Sequence, residues 1–366
     1  IKGHWLSVVQ DMKEPLLVFL GTEHGLYLSF DMGVNRQHWT HNFPNVATQD
    51  LKIHPRENDL IIGTFGRACY VLDDIQPLRE YARRGASHFE QTFFALPSPY
   101  ACISAWKQPA GERFPASTYF AGDNKSERAA LCFWYTPEVK KAEDTTAKND
   151  KKSKGKKKSE EKNNEDETSA SKEKKTKDDK VTIHILSAIG DTLRTLKAEP
   201  DSGYNVVYWN LETKGVHFPS KEEPKKDEEE EGNGPQVKPG TYKIIYQFNE
   251  FKDSSAVDVA LQPGLNWSEN NHNQYVRLWK EMAEVVSQSE KAYAQLRAAE
   301  KSMALVREAL TFADDSVKKL MNTRMDSMDK KMLIIKEGYF GQENLKGIND
   351  DSHTLQSQLY SALYGI

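Results

Sequence analysis

A chain of 366 residues with a formal net charge of −4 has length for two or three cores, and its near-neutral balance supplies no global field for nucleic acid. It contains no run of about 18 apolar residues that could span a membrane. Its three cysteines, Cys69, Cys102 and Cys132, form neither a disulfide framework nor a C-x-x-C metal spacing, so each is expected to be a small core residue. The chain opens Ile-Lys-Gly-His-Trp, with neither an initiator methionine nor a signal-peptide pattern, and is expected to be a piece of something longer or a processed product.

In chain order, the first signal is a repeat. Gly21-Thr22 and Gly63-Thr64 lie 42 positions apart, and Tyr27 and Tyr70 lie 43 apart. Each Gly-Thr pair follows a strand-like apolar run, "LLVFL" or "DLII", and precedes a second one, "GLYLSF" or "ACYVL". A period of about 40 to 45 residues built of short strands is that of a β-propeller blade. Ser29-x-Asp31-x-Gly33 with Trp39 is close to the Asp-box S-x-D-x-G-x-x-W, a hairpin staple in which aspartate caps its own turn and glycine supplies the φ. Trp39 comes six residues after Gly33 rather than three, so a longer turn is expected. Residues 1–80 are read as about two C-terminal blades. A propeller needs four or more, so the rest of the ring is expected upstream.

After Pro77-Leu78 the character changes. Residues 90–137 are aromatic and strand-like, as in "TFFALPSPY" and "RAALCFWYTPE". Residues 138–180 and 220–235 are charged, with almost nothing apolar to offset the entropy of ordering, and are expected to be disordered inserts. Between and after them "VTIHILSAIGDTLRTL", "GYNVVYWN" and "KPGTYKIIYQF" resume the alternation of half-buried strands. One Ig-like β-sandwich over 90–260 accommodates these pieces, with the longer insert as a hairpin tip.

From residue 271 apolar positions recur at three- and four-residue steps, from Tyr275, Leu278 and Met282 to Leu310. A break at "TFADD" precedes Val317, Leu320, Met321, Met325, Met328 and Leu333, and Leu355, Leu359 and Leu363 form a third stripe. A helical hairpin with a short closing helix over 271–366 follows, with the methionines filling its core. The fold class is thus mainly β with an α-helical tail.

The runs "GTEHGLYLSFDMG" and "DLKIHPRENDLIIGTFGRACYVLDDIQPLRE" resemble the end of the propeller in large bacterial exported proteins with BNR/Asp-box repeats. These are related to sortilin and Vps10-type propellers and are often labelled glycosyl hydrolase-like. The strand set after the long insert resembles the Ig-like module of flagellar hook-capping type, and the tail ending "SALYGI" is similar to the helices that close these proteins. The resemblance implies a secreted, periplasmic or cell-surface protein. The label "hydrolase" does not travel with the fold.

Chemistry is thinly marked. Glu23 and His24 sit between two strands where a blade could present polar groups, Glu23 as a catalytic carboxylate and His24 as a binding group. Arg67, in Gly-Thr-x-Gly-Arg, is a second binding candidate, with a brace to Asp73 or Asp74 as the plainer expectation. His54, before Pro55, is expected to order its turn. No His/Asp/Glu cluster has ligand spacing, and no nucleophile motif or P-loop occurs, so no metal and no cofactor is expected. Two readings stay open: a binding or scaffold protein for a peptide, protein or glycan, or a glycan-active hydrolase that needs further carboxylates beyond Glu23.

Overall fold

The computed structural model describes residues 3–103, 126, 128–137, 180–222, 231–342 and 351–364. The insert expected at 138–180 lies outside them except for Lys180, as do 223–230 of the second insert. The described chain is mainly β, with a helical C-terminal region.

The first sheet is an antiparallel meander of β1 (Trp5–Gln10), β2 (Val18–Thr22), β3 (Gly25–Ser29) and β4 (Gln37–Trp39). The second is β5 (Thr48–Ile53), β6 (Leu60–Thr64) and β7 (Cys69–Leu72). The repeat legible in the sequence is a repeat of register. Gly21 pairs with Leu26 and Leu20 with Tyr27, while Gly63 pairs with Cys69 and Ile62 with Tyr70. In both hairpins the threonine after the glycine closes the turn: Thr22 Oγ1 donates to the Gly25 carbonyl at 3.0 Å, and Thr64 Oγ1 to the Ala68 carbonyl at 2.7 Å.

Side chains alternate across a strand, so each sheet has two faces. One holds the repeated glycine, with Phe19, Gly21, Leu26 and Leu28 in the first sheet. The other holds the repeated tyrosine, with Leu60, Ile62, Tyr70 and Leu72 in the second. These two faces share one core. Glycine is required at 21 because a Cβ there would run into the Thr48 carbonyl and the Ser7 hydroxyl.

Helix α1 (Gln76–Arg84) follows, where the sequence pattern predicts no helix. Pro77 lies in its first turn, where its missing N–H costs nothing, and Asp74 Oδ1 accepts the Gln76 N–H at 3.2 Å. Arg79 is buried and forks onto Asp11 from the β1–β2 loop, with Nη2 to Oδ1 at 2.9 Å, and donates from Nη1 to Asn58 Oδ1 at 2.7 Å.

The middle of the chain folds as β8 (Phe93–Ala95), β9 (Ala101–Ile103), β10 (Ala129–Tyr135), β11 (Val181–Leu186), β12 (Thr192–Ala198), β13 (Gly203–Trp209), β14 (Glu212–Lys214), β15 (Asn233–Gln236), β16 (Gly240–Phe248) and β17 (Phe251–Leu261). A three-stranded sheet in the order β13-β10-β8 packs on a five-stranded one in the order β12-β11-β16-β17-β9, and β14 and β15 form a ribbon beside them. Val181, Ile183 and Ile185, the alternation read from sequence, face the shared core with Phe133, Trp209 and Tyr246. β9 runs parallel to β17, Ala101 opposite Val259.

Two expectations are corrected here. The charged stretch 220–235 is not loop throughout: Asn233 begins β15, and the Glu231 carboxylate accepts the Thr195 N–H at 2.9 Å and pairs with Lys214 at 3.4 Å. Composition marks such residues as solvated, but here specific partners satisfy them. Of the cysteines only Cys132 is buried; Cys102 is intermediate and Cys69 exposed, because Cys69 lies on the outward face of the second sheet.

The tail is α2 (Glu269–Leu310), α3 (Asp315–Phe340) and α4 (Leu355–Tyr364). Ser268 caps α2, accepting the Asn271 N–H at 3.5 Å. Trp279, Ala283 and Val286 of α2 pack with Leu359 and Leu363 of α4, and Met303, Met325 and Met332 make a second patch between α2 and α3. The α3 stripe is only partly core: Val317, Leu320, Met328 and Leu333 are exposed, since α3 is covered on one narrow face. Among the described residues no helix is long and apolar enough to cross a membrane.

Candidate functional site

The two Gly-Thr hairpins turn at the same end of the two stacked sheets. Ser7 and Gly21 of the first sheet meet Thr48 of the second, with Ser7 Oγ donating to the Thr48 carbonyl at 3.4 Å. Thr48 pairs with Thr64, the last residue before the 65–68 turn, and Thr22 is the last before the 23–24 turn. The rim so formed carries Glu23 and His24 on one turn and Phe65 and Arg67 on the next.

Each candidate has a place on it. Glu23 is exposed, and its Oε2 accepts the His4 N–H at 3.0 Å while its own N–H donates to the His4 carbonyl at 3.2 Å. Those two bonds tie the incoming chain to the turn. The His24 N–H donates to Thr22 Oγ1 at 3.1 Å, which leaves its imidazole exposed at the surface. Arg67 is exposed and has no ion pair among the described residues. The brace expected from Arg67 to Asp73 or Asp74 is therefore absent among them. Asp74 starts α1 instead, and Arg79 does the bracing.

At the opposite end of the first sheet, Ser29, Asp31 and Gly33 form a hydrogen-bonded loop. Ser29 Oγ donates to Asp31 Oδ1 at 2.7 Å and accepts the Gly33 N–H at 2.8 Å, and Gly33 has φ +90°, which only glycine adopts freely. The loop extends to Asn35, whose N–H reaches Asp31 Oδ1 at 2.8 Å. The Ser29 hydroxyl and then the Asn35 N–H hold the Asp31 carboxyl below the usual aspartate range. Trp39 packs against the shared core from β4, six residues after Gly33, and Nε1 donates to the His41 carbonyl at 2.9 Å. His54 orders its turn as expected, accepting the Glu57 N–H on Nδ1 at 3.1 Å.

The structure adds residues that spacing did not mark. The Arg36 guanidinium stands 4.9 Å over the Trp5 ring, and His38 stacks on Tyr27 at 4.6 Å. His4, Trp5 and His38 join the candidate surface only because β1 and β4 fold alongside the repeated hairpin. A separate shallow groove on the five-stranded sheet is lined by Leu186, Thr241, Lys243 and Ser254. Among the described residues no three His, Cys, Asp or Glu side chains gather where they could hold a metal ion.

No protein-family model matches the chain, and no curated protein matches it. Among solved structures, the extracellular domain of a proposed one-component system, BT4673 from B. thetaiotaomicron, is similar at 10% identity and a TM-score of 0.18. The likeness covers 70% of this chain and 25% of that one, so this chain spans well under two thirds of that protein's length. At that score it carries no weight for fold or role.

Proposed function

We propose that this chain belongs to an exported recognition protein in which the first two sheets are propeller-type blades and the middle sheets an Ig-like sandwich that supports them. The glycine-face-on-tyrosine-face packing of the two repeats and the Ser29–Asp31–Gly33 loop support the blade reading. The recognition reading rests on one observation: both Gly-Thr turns open at one rim and leave the His24 imidazole, the Phe65 ring and the Arg67 guanidinium in solvent. A cation, an aromatic plate and an imidazole suit a peptide or glycan bearing an anionic group.

Binding to glycan and peptide arrays tests it. A ligand found there should lose about tenfold or more in affinity on Arg67→Ala or His24→Ala, the cost of truncating a central contact. Affinity unchanged in both variants would remove the rim from the binding surface. The hydrolase alternative gives the opposite signature, reducing-sugar release that collapses on Glu23→Gln. Glu23 spends its carboxylate on the His4 N–H, which favours a turn-holding role.

A further inference from the structure

The five-stranded sheet turns one face to the sandwich core and the other away from it. Ile183, Ile185, Ile244 and Tyr246 take the inner face, so their sequence neighbours take the outer one. Strand register then sets Lys197, Thr182, Gln247 and Lys252 in one row across four strands. Thr195, His184 and Ser254 stand in the next row, around Ile245. With strands about 4.8 Å apart and about 3.4 Å per residue, Lys197 and Lys252 leave the sheet about 14 Å apart, and Lys243 leaves it about 13 Å along β16 from Gln247. Lys243 lies in the shallow groove bordered by the β11–β12 turn and by β17.

These three lysines are exposed, and none has an ion pair among the described residues. Other cations of the same module do have partners, Arg194 in Glu212 and Lys214 in Glu231. Among the described residues, the one carboxylate on the outer face of these four strands is Asp258, which accepts the Thr241 hydroxyl at 2.6 Å. The face is thus positive on a chain whose total charge is −4. Between the lysines stand neutral hydrogen-bonding groups, with His184 Nδ1 3.2 Å from Thr195 Oγ1. The rows carry no Phe, Tyr or Trp.

We infer that this face binds a polyanionic polysaccharide, its carboxylates or sulfates on the three ammonium groups and its hydroxyls on the side chains between them. Charge complementarity sets the sign of the ligand, and the rest of the face sets its kind. β11, β16 and β17 are interior strands with their backbone groups engaged on both sides, and at the β12 edge Glu231 already accepts the Thr195 N–H, so a peptide finds no edge to extend. Its apolar side chains would find only the half-buried Leu186 and Ile245. A single nucleic-acid strand would find no ring on which to stack a base. Three cations this far apart are sparse for a duplex with one charge per about 1.7 Å. An extended sugar chain, whose surface is hydroxyls and spaced anions, fits a plate of hydroxyl, amide and ammonium groups. The site stands apart from the rim of the first two sheets and does not rest on the reading of that rim.

Biolayer interferometry of the whole chain on immobilised polygalacturonate, dextran sulfate and neutral dextran tests the inference. Binding is expected on at least one charged polymer and not on dextran, and it should weaken as salt is raised. Exposed ion pairs contribute a factor of about two to five each, so the triple variant Lys197→Gln, Lys243→Gln, Lys252→Gln should bind about tenfold or more weakly at an unaltered melting temperature. Poly-L-glutamate on the same surface should bind more weakly than the charged polysaccharide. Absence of binding to both charged polymers overturns the inference, as does poly-L-glutamate binding equally well. Full affinity in the triple variant overturns it too, because that variant keeps the Lys-rich run 151–158, to which the binding would then belong.

Discussion

Arg79 is one guanidinium that holds three parts of the chain. It projects from α1 into a site that leaves its side chain 7% and that of Asp11 2% exposed, and there it meets Asp11 of one loop and Asn58 of another. Lys13 Nζ also reaches Asn58 Oδ1, at 2.8 Å. Removing one member of a buried pair leaves the other charge without compensation, which costs about 3–5 kcal/mol. Arg79→Ala is therefore expected to lower stability by that order in a denaturant titration, and adding Asp11→Ala should restore part of the loss. Arg67→Ala, at an exposed position, should stay within about 0.5 kcal/mol of wild type. Equal effects of the two arginine substitutions would refute the contrast. Arg67 lies within the repeat and Arg79 outside it, and only burial separates their roles.

Among elements, the paired hairpins show how one local pattern meets two environments. Gly21 and Gly63 stand in the same register, each followed by a threonine and each on the strand next to a sheet edge. Packing distinguishes them. Gly21→Ala forces a methyl into the Thr48 carbonyl and is expected to cost about 1–3 kcal/mol, as overpacking does. Gly63→Ala adds a methyl at ordinary van der Waals distance from Asp50 and should leave the melting temperature close to wild type. A Gly63→Ala loss as large as that of Gly21→Ala would refute the contrast. The helices teach the same lesson: the spacing of Val317, Leu320 and Met328 suits a buried stripe, yet α3 buries Met325 and Met332 and leaves those three in solvent.

At the scale of the whole molecule, the first two sheets and the middle sheets are joined by a short aromatic stair. Phe30 meets Tyr81 in a tilted contact at 4.6 Å, Tyr81 meets Phe89 at 5.2 Å, and Phe89 meets Trp134 at 5.0 Å. His88 sits in this joint, 4.3 Å from Phe94, with Arg84 Nη1 at 2.9 Å from its Nε2. That geometry requires an unprotonated Nε2 as acceptor. Burial first, and the Arg84 charge second, push its pKa below the ordinary 6.5, against the opposing pull of Glu80 and Asp253. A histidine with a depressed folded pKa contributes stability that is full above 6.5 and is lost as pH falls from there toward the folded value, because the unfolded chain takes up its proton first. The melting temperature should thus fall more steeply on acidification in wild type than in His88→Gln. Parallel pH profiles for the two proteins would exclude His88 as the source.

Local pattern alone determined much of this protein. The Gly-Thr hairpins, the alternation of Val181, Ile183 and Ile185, the helix break at residues 311–314 and the turn ordered by His54 are all local, set by side-chain alternation, turn chemistry and capping within a few residues. Local rules could not supply α1, whose role depends on an arginine reaching 68 positions back to Asp11, or the parallel pairing of β9 with β17. They could not tell that Glu23 is bound to the His4 backbone, that Cys69 faces outward, or that Glu231 has partners in β12 and β14. Each of these depends on which face of an element another element covers. A sequence specifies the two faces of a strand, and only the packing of the whole decides which of them meets water.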